Sequence, residues 1–272
     1  MRITEIKPVR GIDPASEYAI LASYFPGGEP YPGINLYLSA LKAQGFKVIV
    51  MAALDNPCNF DLSELDMDQA EGVLIRQNSG YDHYSWRLTL ESFPDLYRTR
   101  ACLLTNDSMF GPNRSFERLV KGMRATGAPV IALTNSYEHV PHIQSYFLYF
   151  KAEALQNRYL RSYIGSFDPR FERDQVIYAY ELPLANYVQN ACKLPIAIAF
   201  QVPPHYRINP AFHGWTELLR AGFPFIKRDC LCANFKKNPE HLFAVAREHG
   251  FDLDVLRRLI DRLCLAGTAK LP

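Results

Sequence analysis

Residues 72–112, GVLIRQNSGYDHYSWRLTLESFPDLYRTRACLLTNDSMFGP, constrain the fold of this chain more than any other stretch. A short apolar run at 73–75 ends in a polar cluster: Arg76, Gln77, Asn78, Ser79, Gly80, Tyr81 and Asp82. A helix-like segment follows, with Trp86, Leu90 and Phe93 on one face. A second apolar run at 101–104 then ends in Thr105, Asn106, Asp107 and Ser108. Two strands joined by one helix form a βαβ unit, whose crossover is almost always right-handed and whose two outgoing loops emerge at the same sheet edge. Ligands of open α/β sheets bind at that carboxyl edge. Both polar clusters are therefore expected to face one crevice.

The flanking pattern extends this unit. Residues 18–25 (YAILASYF) read as a buried strand ending at a Pro/Gly-rich loop, and Ile34, Leu38 and Leu41 recur at helical spacing before Gly45. Residues 47–53 give a second strand, so the N-terminal part reads as a Rossmann-like half; residues 54–71 form a polar connection. Beyond Pro112, Phe116, Leu119, Val120 and Met123 make an apolar helical stripe, and residues 129–134 another strand. The order β-α-β-β-α-β-α-β predicts a mostly parallel sheet with helices on both faces. In the second half, residues 142–150 alternate as a strand with His142, Gln144, Tyr146 and Leu148 on one face. Helices are expected at 152–166 and 174–191, a strand at 194–200 and a helix at 214–221. Two helices should close the chain, with Leu253, Leu256, Ile260 and Leu263 spaced to dock. This divides the chain into a domain at 1–235 and a helical extension at 236–272 packed on it.

Composition narrows the functional classes. A net charge of +2 over 272 residues gives no global attraction to nucleic acid or to a membrane surface. No apolar run approaches the roughly 18 residues of a membrane span, and the N-terminus lacks a secretory apolar core, so cytoplasmic residence is expected. Of six cysteines only Cys230 and Cys232 are close, without a partner pair at zinc-site spacing. The sequence holds no GxGxxG, GxSxG or GKS/GKT motif, which removes support for a dinucleotide cofactor, a hydrolase nucleophile elbow and a phosphate loop.

Several residues carry candidate chemistry. Asp107, with Asn106 and Ser108, can ligate a divalent cation on a substrate diphosphate, or the trio can simply close an Asx turn. Arg76, Asn78, Gly80 and Asp82 can contact hydroxyls or a base; Asp82 can equally cap the following helix. Glu181 shares a stripe with Ile177, Leu184 and Val188, and a carboxylate on a buried face needs a partner, such as an arginine, or a use. His142 and Gln144 point to one side. Pro141 prevents His139 and His142 from forming a helical metal pair. Lys227 and Arg228, with Arg207 upstream, can supply cations to a phosphate or form a solvated basic turn.

Five segments in order, RQNSGYDHYSW, LLTNDSMFGP, HIQSYFLYF, YELPLANYV and GFPFIKRD, resemble the rhamnan synthesis F family from about residue 18 to 231. The resemblance implies a glycosyltransferase of bacterial surface polysaccharide assembly, O-antigen and lipopolysaccharide among the products, with a GT-A-like α/β fold. It implies a dTDP- or GDP-linked donor, with rhamnose or a related deoxysugar as the sugar, and a saccharide or lipid-linked saccharide acceptor. The net charge of +2 gives no reason to expect a nucleic acid partner; a lipid-linked acceptor would bring the protein to the inner face of the cytoplasmic membrane. Asn106-Asp107-Ser108 stands where GT-A enzymes carry Asp-x-Asp, so Asp107 is the expected ligand of Mg²⁺ or Mn²⁺. Glu181 stands in order where inverting enzymes carry their base. Tyr24, Arg76, Asn78, Gly80, Tyr81, Asp82, Asn106, Ser108, Lys227 and Arg228 are the expected donor contacts, and His142 and Gln144 the acceptor contacts. The competing expectation is a non-catalytic sugar- or nucleotide-binding module. The enzyme reading requires Asp107 and Glu181 to converge on one pocket.

Overall fold

The structure, a computed structural model, describes residues 3–265. Its strands are β1 (Thr4–Lys7), β2 (Glu17–Tyr24), β3 (Phe46–Leu54), β4 (Gly72–Gln77), β5 (Ala101–Asn106), β6 (Met109–Phe110), β7 (Val130–Ser136), β8 (His142–Ile143), β9 (Phe147–Lys151), β10 (Ile196–Phe200) and β11 (Ile226–Lys227). The helices are α1 (Ile34–Ala43), α2 (Tyr81–Ser92), α3 (Phe116–Ala125), α4 (Ala152–Gln156), α5 (Arg158–Gly165), α6 (Arg173–Val176), α7 (Leu184–Asn190), α8 (Pro210–His213), α9 (Trp215–Arg220), α10 (Arg228–Lys237), α11 (Pro239–Glu248) and α12 (Leu253–Leu265).

The main sheet runs β1-β4-β3-β2-β5-β9-β7-β10. β4, β3, β2 and β5 are mutually parallel, as are β7 and β10, while β9 lies antiparallel between β5 and β7 and β1 is an antiparallel edge. This is the mostly parallel α/β sheet expected. Strand alternation builds a core on each face. Ala19 and Leu21 of β2 point into a cluster with α1, α3 and the C-terminal helices, whereas Tyr18, Ile20 and Ala22 point into one with α2, α5 and α7. Leu256, Ile260 and Leu263 are buried in the first cluster and Leu253 packs against it. Residues 266–272 of the expected extension lie outside the described residues.

From β2 the chain steps outward through β3 to β4, then returns to place β5 on the other side of β2. Strand order thus reverses between β2 and β5, the switch point where the loops diverge and leave a crevice. Tyr24 ends β2 and Asn106 ends β5.

Four predicted elements are corrected: the helix at 152–166 splits at Asn157 into α4 and α5, three helices (α10, α11 and α12) close the described residues where two were expected, and two further changes shape the site. The strand at 142–150 is broken: β8 pairs with the end of β7, then the chain bends through 144–146 so that β9 inserts between β5 and β7. The helix at 174–191 is interrupted by a π turn, Ile177–Glu181, closed by the Leu182 N–H donating to the Ile177 carbonyl. Pro183, which has no N–H and whose ring crowds the preceding turn, accounts for the widening.

Candidate active site

The switch point collects charge. The Asp107 N–H donates to the Ala22 carbonyl at 3.2 Å, which carries β5 pairing one residue past its end. The Asp107 carboxylate, 7% exposed as a residue, accepts from Ser23 Oγ at 2.7 Å and the Tyr24 N–H at 3.1 Å, both on Oδ2. Arg228 Nη1 lies 3.2 Å from the same oxygen and donates to the Asp107 carbonyl at 2.9 Å. The β6–β11 ribbon, pairing Lys227 with Met109, sets Arg228 there, and the Tyr31 ring backs its guanidinium at 5.1 Å. Asn106 Oδ1 accepts from the Ser108 N–H and hydroxyl, and its Nδ2 donates to Asp82 at 2.5 Å. Asn106 thus makes the Asx turn, and Asp107 lines the crevice.

Asp82 sits in the first turn of α2. Removal from water pushes its carboxyl up to about 7, and the Asp107 and Glu181 carboxylates add to this; the Asn106 hydrogen bond and Arg76 oppose it. No side-chain cap bond forms at this helix start, so Asp82 is not the N-cap. Gly80 holds φ 64 there, and a Cβ would meet the Pro169 Cα at 2.6 Å, so the loop closes only with glycine.

Arg76 is corrected. Only 1% exposed, it does not present its fork to a ligand. Nε donates to Ser85 Oγ at 2.9 Å, Nη1 to the Gln77 and Ser79 carbonyls at 2.8 and 2.6 Å, and Nη2 to the Tyr81 carbonyl at 2.7 Å. Its guanidinium shapes the loop from within. Outside it, Asp55 joins two predicted donor contacts: Tyr24 Oη donates to Oδ2 at 2.6 Å and Asn78 Nδ2 to Oδ1 at 3.0 Å. Burial and Asp55 push the Tyr24 phenol up to about 12. Sequence reading passed over Asp55 because it opens the polar connection, although it directly follows β3 at the carboxyl edge.

Glu181 reaches the opposite wall. The π turn takes it out of the stripe of Leu184 and Val188, and its side chain is 21% exposed. Its partner is a serine rather than an arginine: Ser145 donates its hydroxyl and, at 3.3 Å, its N–H to Oε2. His142 Nε2 lies 3.8 Å from Oε1. Gln144 is tied to Thr134 Oγ1 at 2.8 Å and to Asn209 at 3.3 Å. Ser145 was not foreseen; its place next to Gln144 in the sequence was the available signal.

One crevice of about 740 Å³ is lined by Asp107 and Glu181 together with Tyr24, Arg76, Asn78, Gly80, Tyr81, Asp82, Asn106, Ser108, His142, Gln144, Lys227 and Arg228. The convergence demanded by the sequence reading is present. Arg207 does not line it. Among the described residues no group of three or more His, Cys, Asp or Glu side chains is arranged to hold a metal ion. Asp107 already carries a guanidinium on Oδ2. This donor set does not fit the Mg²⁺ or Mn²⁺ expected at Asp107; the fixed positive charge beside it is Arg228.

A family model described as rhamnan synthesis protein F matches residues 56–262. The chain belongs to that family. Membership supports a glycosyltransferase-like role for the protein. No curated protein matches. Among solved structures, a putative nucleotide-diphospho-sugar transferase from Desulfovibrio desulfuricans aligns at TM-score 0.41 and 10% identity, over 86% of this chain and 99% of that one. A cytidylyltransferase from Leptospira borgpetersenii aligns at 0.35 and 13%, over 83% and 95%, and a protein from STIV at 0.35 and 10%, over 69% and 82%. None of these scores carries an inference of function. Among the described residues no helix is long and apolar enough to cross a membrane.

Proposed function

We propose that this rhamnan synthesis F protein is an inverting glycosyltransferase. It moves a sugar from a nucleoside-diphosphate donor to a hydroxyl of a saccharide or lipid-linked saccharide acceptor. A dTDP- or GDP-linked rhamnose or related deoxysugar is the donor that family membership favours. The observation that carries the reading is the meeting, across one crevice, of a serine-held carboxylate at Glu181 and an arginine-backed aspartate at Asp107.

The roles follow from the chemistry. The nucleoside lies over the Tyr24–Asp55–Asn78 network at the ends of β2, β3 and β4, where ring faces and amide groups meet a base. The diphosphate lies against Arg228 and Lys227, whose charge stabilises the electron pair left on the phosphate oxygen as the glycosidic bond breaks. Asp82, protonated up to about pH 7, donates a hydrogen bond to a donor oxygen where an ionised carboxylate would repel it. Glu181 takes the proton of the acceptor hydroxyl, whose oxygen attacks the anomeric carbon opposite the leaving diphosphate and inverts it.

Glu181→Gln keeps shape and hydrogen bonding but cannot accept the proton. Transfer should fall by roughly 10²–10⁴-fold, with donor affinity by calorimetry unchanged. Wild-type turnover in this variant removes Glu181 as base. Nucleotide sugars that bind but are neither hydrolysed nor transferred would make the crevice a binding module.

A further inference from the structure

The two oxygens of Glu181 are not equivalent. Oε2 accepts both Ser145 donors, so its lone pairs are already engaged. Oε1 has no hydrogen bond among the described residues and lies 3.8 Å from His142 Nε2. That is too long for a direct hydrogen bond.

His142 is buried on β8, and its Nδ1 lies 2.7 Å from the Val140 carbonyl oxygen. A carbonyl only accepts, so Nδ1 carries the proton, and in the neutral ring Nε2 is left as a lone pair. Two proton acceptors, Oε1 and Nε2, therefore stand beside each other on one wall of the crevice.

We propose, on the reading of Glu181 as base, that His142 is the final acceptor of the proton removed from the acceptor hydroxyl. The hydroxyl oxygen forms its bond to the anomeric carbon while the bond from that carbon to the phosphate oxygen breaks, its electron pair leaving with the diphosphate. The hydroxyl proton passes to Oε1. The protonated acid then donates across the shortened gap to Nε2, regenerating the carboxylate and leaving an imidazolium paired with it. The imidazolium so formed stands beside the regenerated carboxylate, and this pairing of opposite charges holds the proton on the ring, away from the new glycosidic oxygen. Ser145 serves as the positioning residue that directs Oε1, and not Oε2, toward His142.

His142→Asn is the discriminating variant. Its amide nitrogen can still donate to the Val140 carbonyl, which preserves the β8 bend, but nothing remains at the Nε2 position. The expected result is a kcat lower by roughly 10–10³-fold with KM for the donor and the melting temperature little changed. His142→Ala leaves space for added imidazole, which should restore part of the rate, increasingly so for more basic substituted imidazoles. Wild-type kcat in His142→Asn, or a folded His142→Ala variant that imidazole does not rescue, overturns the relay. If Glu181→Gln is inactive while His142→Asn is fully active, the relay fails alone; a wild-type protein that transfers no sugar fails the underlying reading instead.

Discussion

Asp82→Asn tests whether the crevice holds a carboxyl against its own solvation. The folded protein keeps this group protonated up to about 7, against an ordinary value of 3.8, chiefly because it is withdrawn from water and secondly because Asp107 is close. Between those two pH values the folded chain holds a proton that the unfolded chain releases. Stability must then fall as pH rises, by about 1.4 kcal/mol per unit. No penalty exists below the unfolded value, and it is complete above the folded one. At pH 8 it amounts to about 4 kcal/mol, and at pH 5 to between about 1 and 2 kcal/mol. Asparagine has the same shape, can still accept from Asn106 and never ionises. The variant should therefore exceed wild type by about those amounts, and match it near pH 3. For a chain of this length one kcal/mol moves the melting temperature by about 2–4 °C, so thermal melts at pH 8 should separate the proteins by about 10 °C or more. At pH 5 the separation should shrink to a few degrees. An equal separation at both pH values, or a less stable variant at pH 8, refutes the reasoning.

Arg228→Gln removes the guanidinium at 3.2 Å from Asp107 and one of the two cations assigned to the diphosphate. Donor affinity by calorimetry should drop by roughly 10–100-fold, a loss of about 1.5–3 kcal/mol for a charge-assisted contact. Treatment with EDTA should leave transfer within about twofold of the untreated rate, because the positive charge beside Asp107 is supplied by a side chain. A large loss that Mn²⁺ restores would show that the donor set takes a metal after all.

The βαβ unit was readable because parallel strands covered on both faces are continuously apolar, and Val73, Leu74 and Ile75 are all buried. Their polar ends were equally visible, which placed Asp107 and Asp82 at one edge. The break between β8 and β9 was hidden by the same property. Residues from His142 to Phe150 are all buried, so hydrophobicity records no interruption, and the pairing of β9 with β5 depends on residues more than forty positions away. The β6–β11 ribbon has two residues per strand, too few for any periodicity, yet it delivers Arg228. Arg76 marks another limit. Sequence shows a charged residue in a loop, but only backbone carbonyls turned inward reveal that the guanidinium is used up there. Pro183 was visible as a helix breaker, while its effect, turning Glu181 out of the stripe and onto the crevice wall, depends on how the turn before it widens.

Asp107 stands alone where a pair of carboxylates was the pattern, and the geometry gives that solitary acid a different task. Arg228 is fixed through one nitrogen, Nη1, which bonds the Asp107 carbonyl and faces its carboxylate, while the Tyr31 ring supports the guanidinium plane. Nε and Nη2 have no hydrogen bond among the described residues, so a diphosphate can engage the fork without displacing Asp107. Orientation fixed in advance is what makes a cation effective toward charge that develops during reaction. Asp107→Asn should then damage donor binding through Arg228 and not by losing a metal. In a double-mutant cycle with Arg228→Gln the two losses should overlap strongly, the pair together costing little more than Arg228→Gln alone. Strictly additive losses, measured by calorimetry with the same nucleotide sugar, would mean that each side chain meets the donor independently and that the anchoring role is wrong.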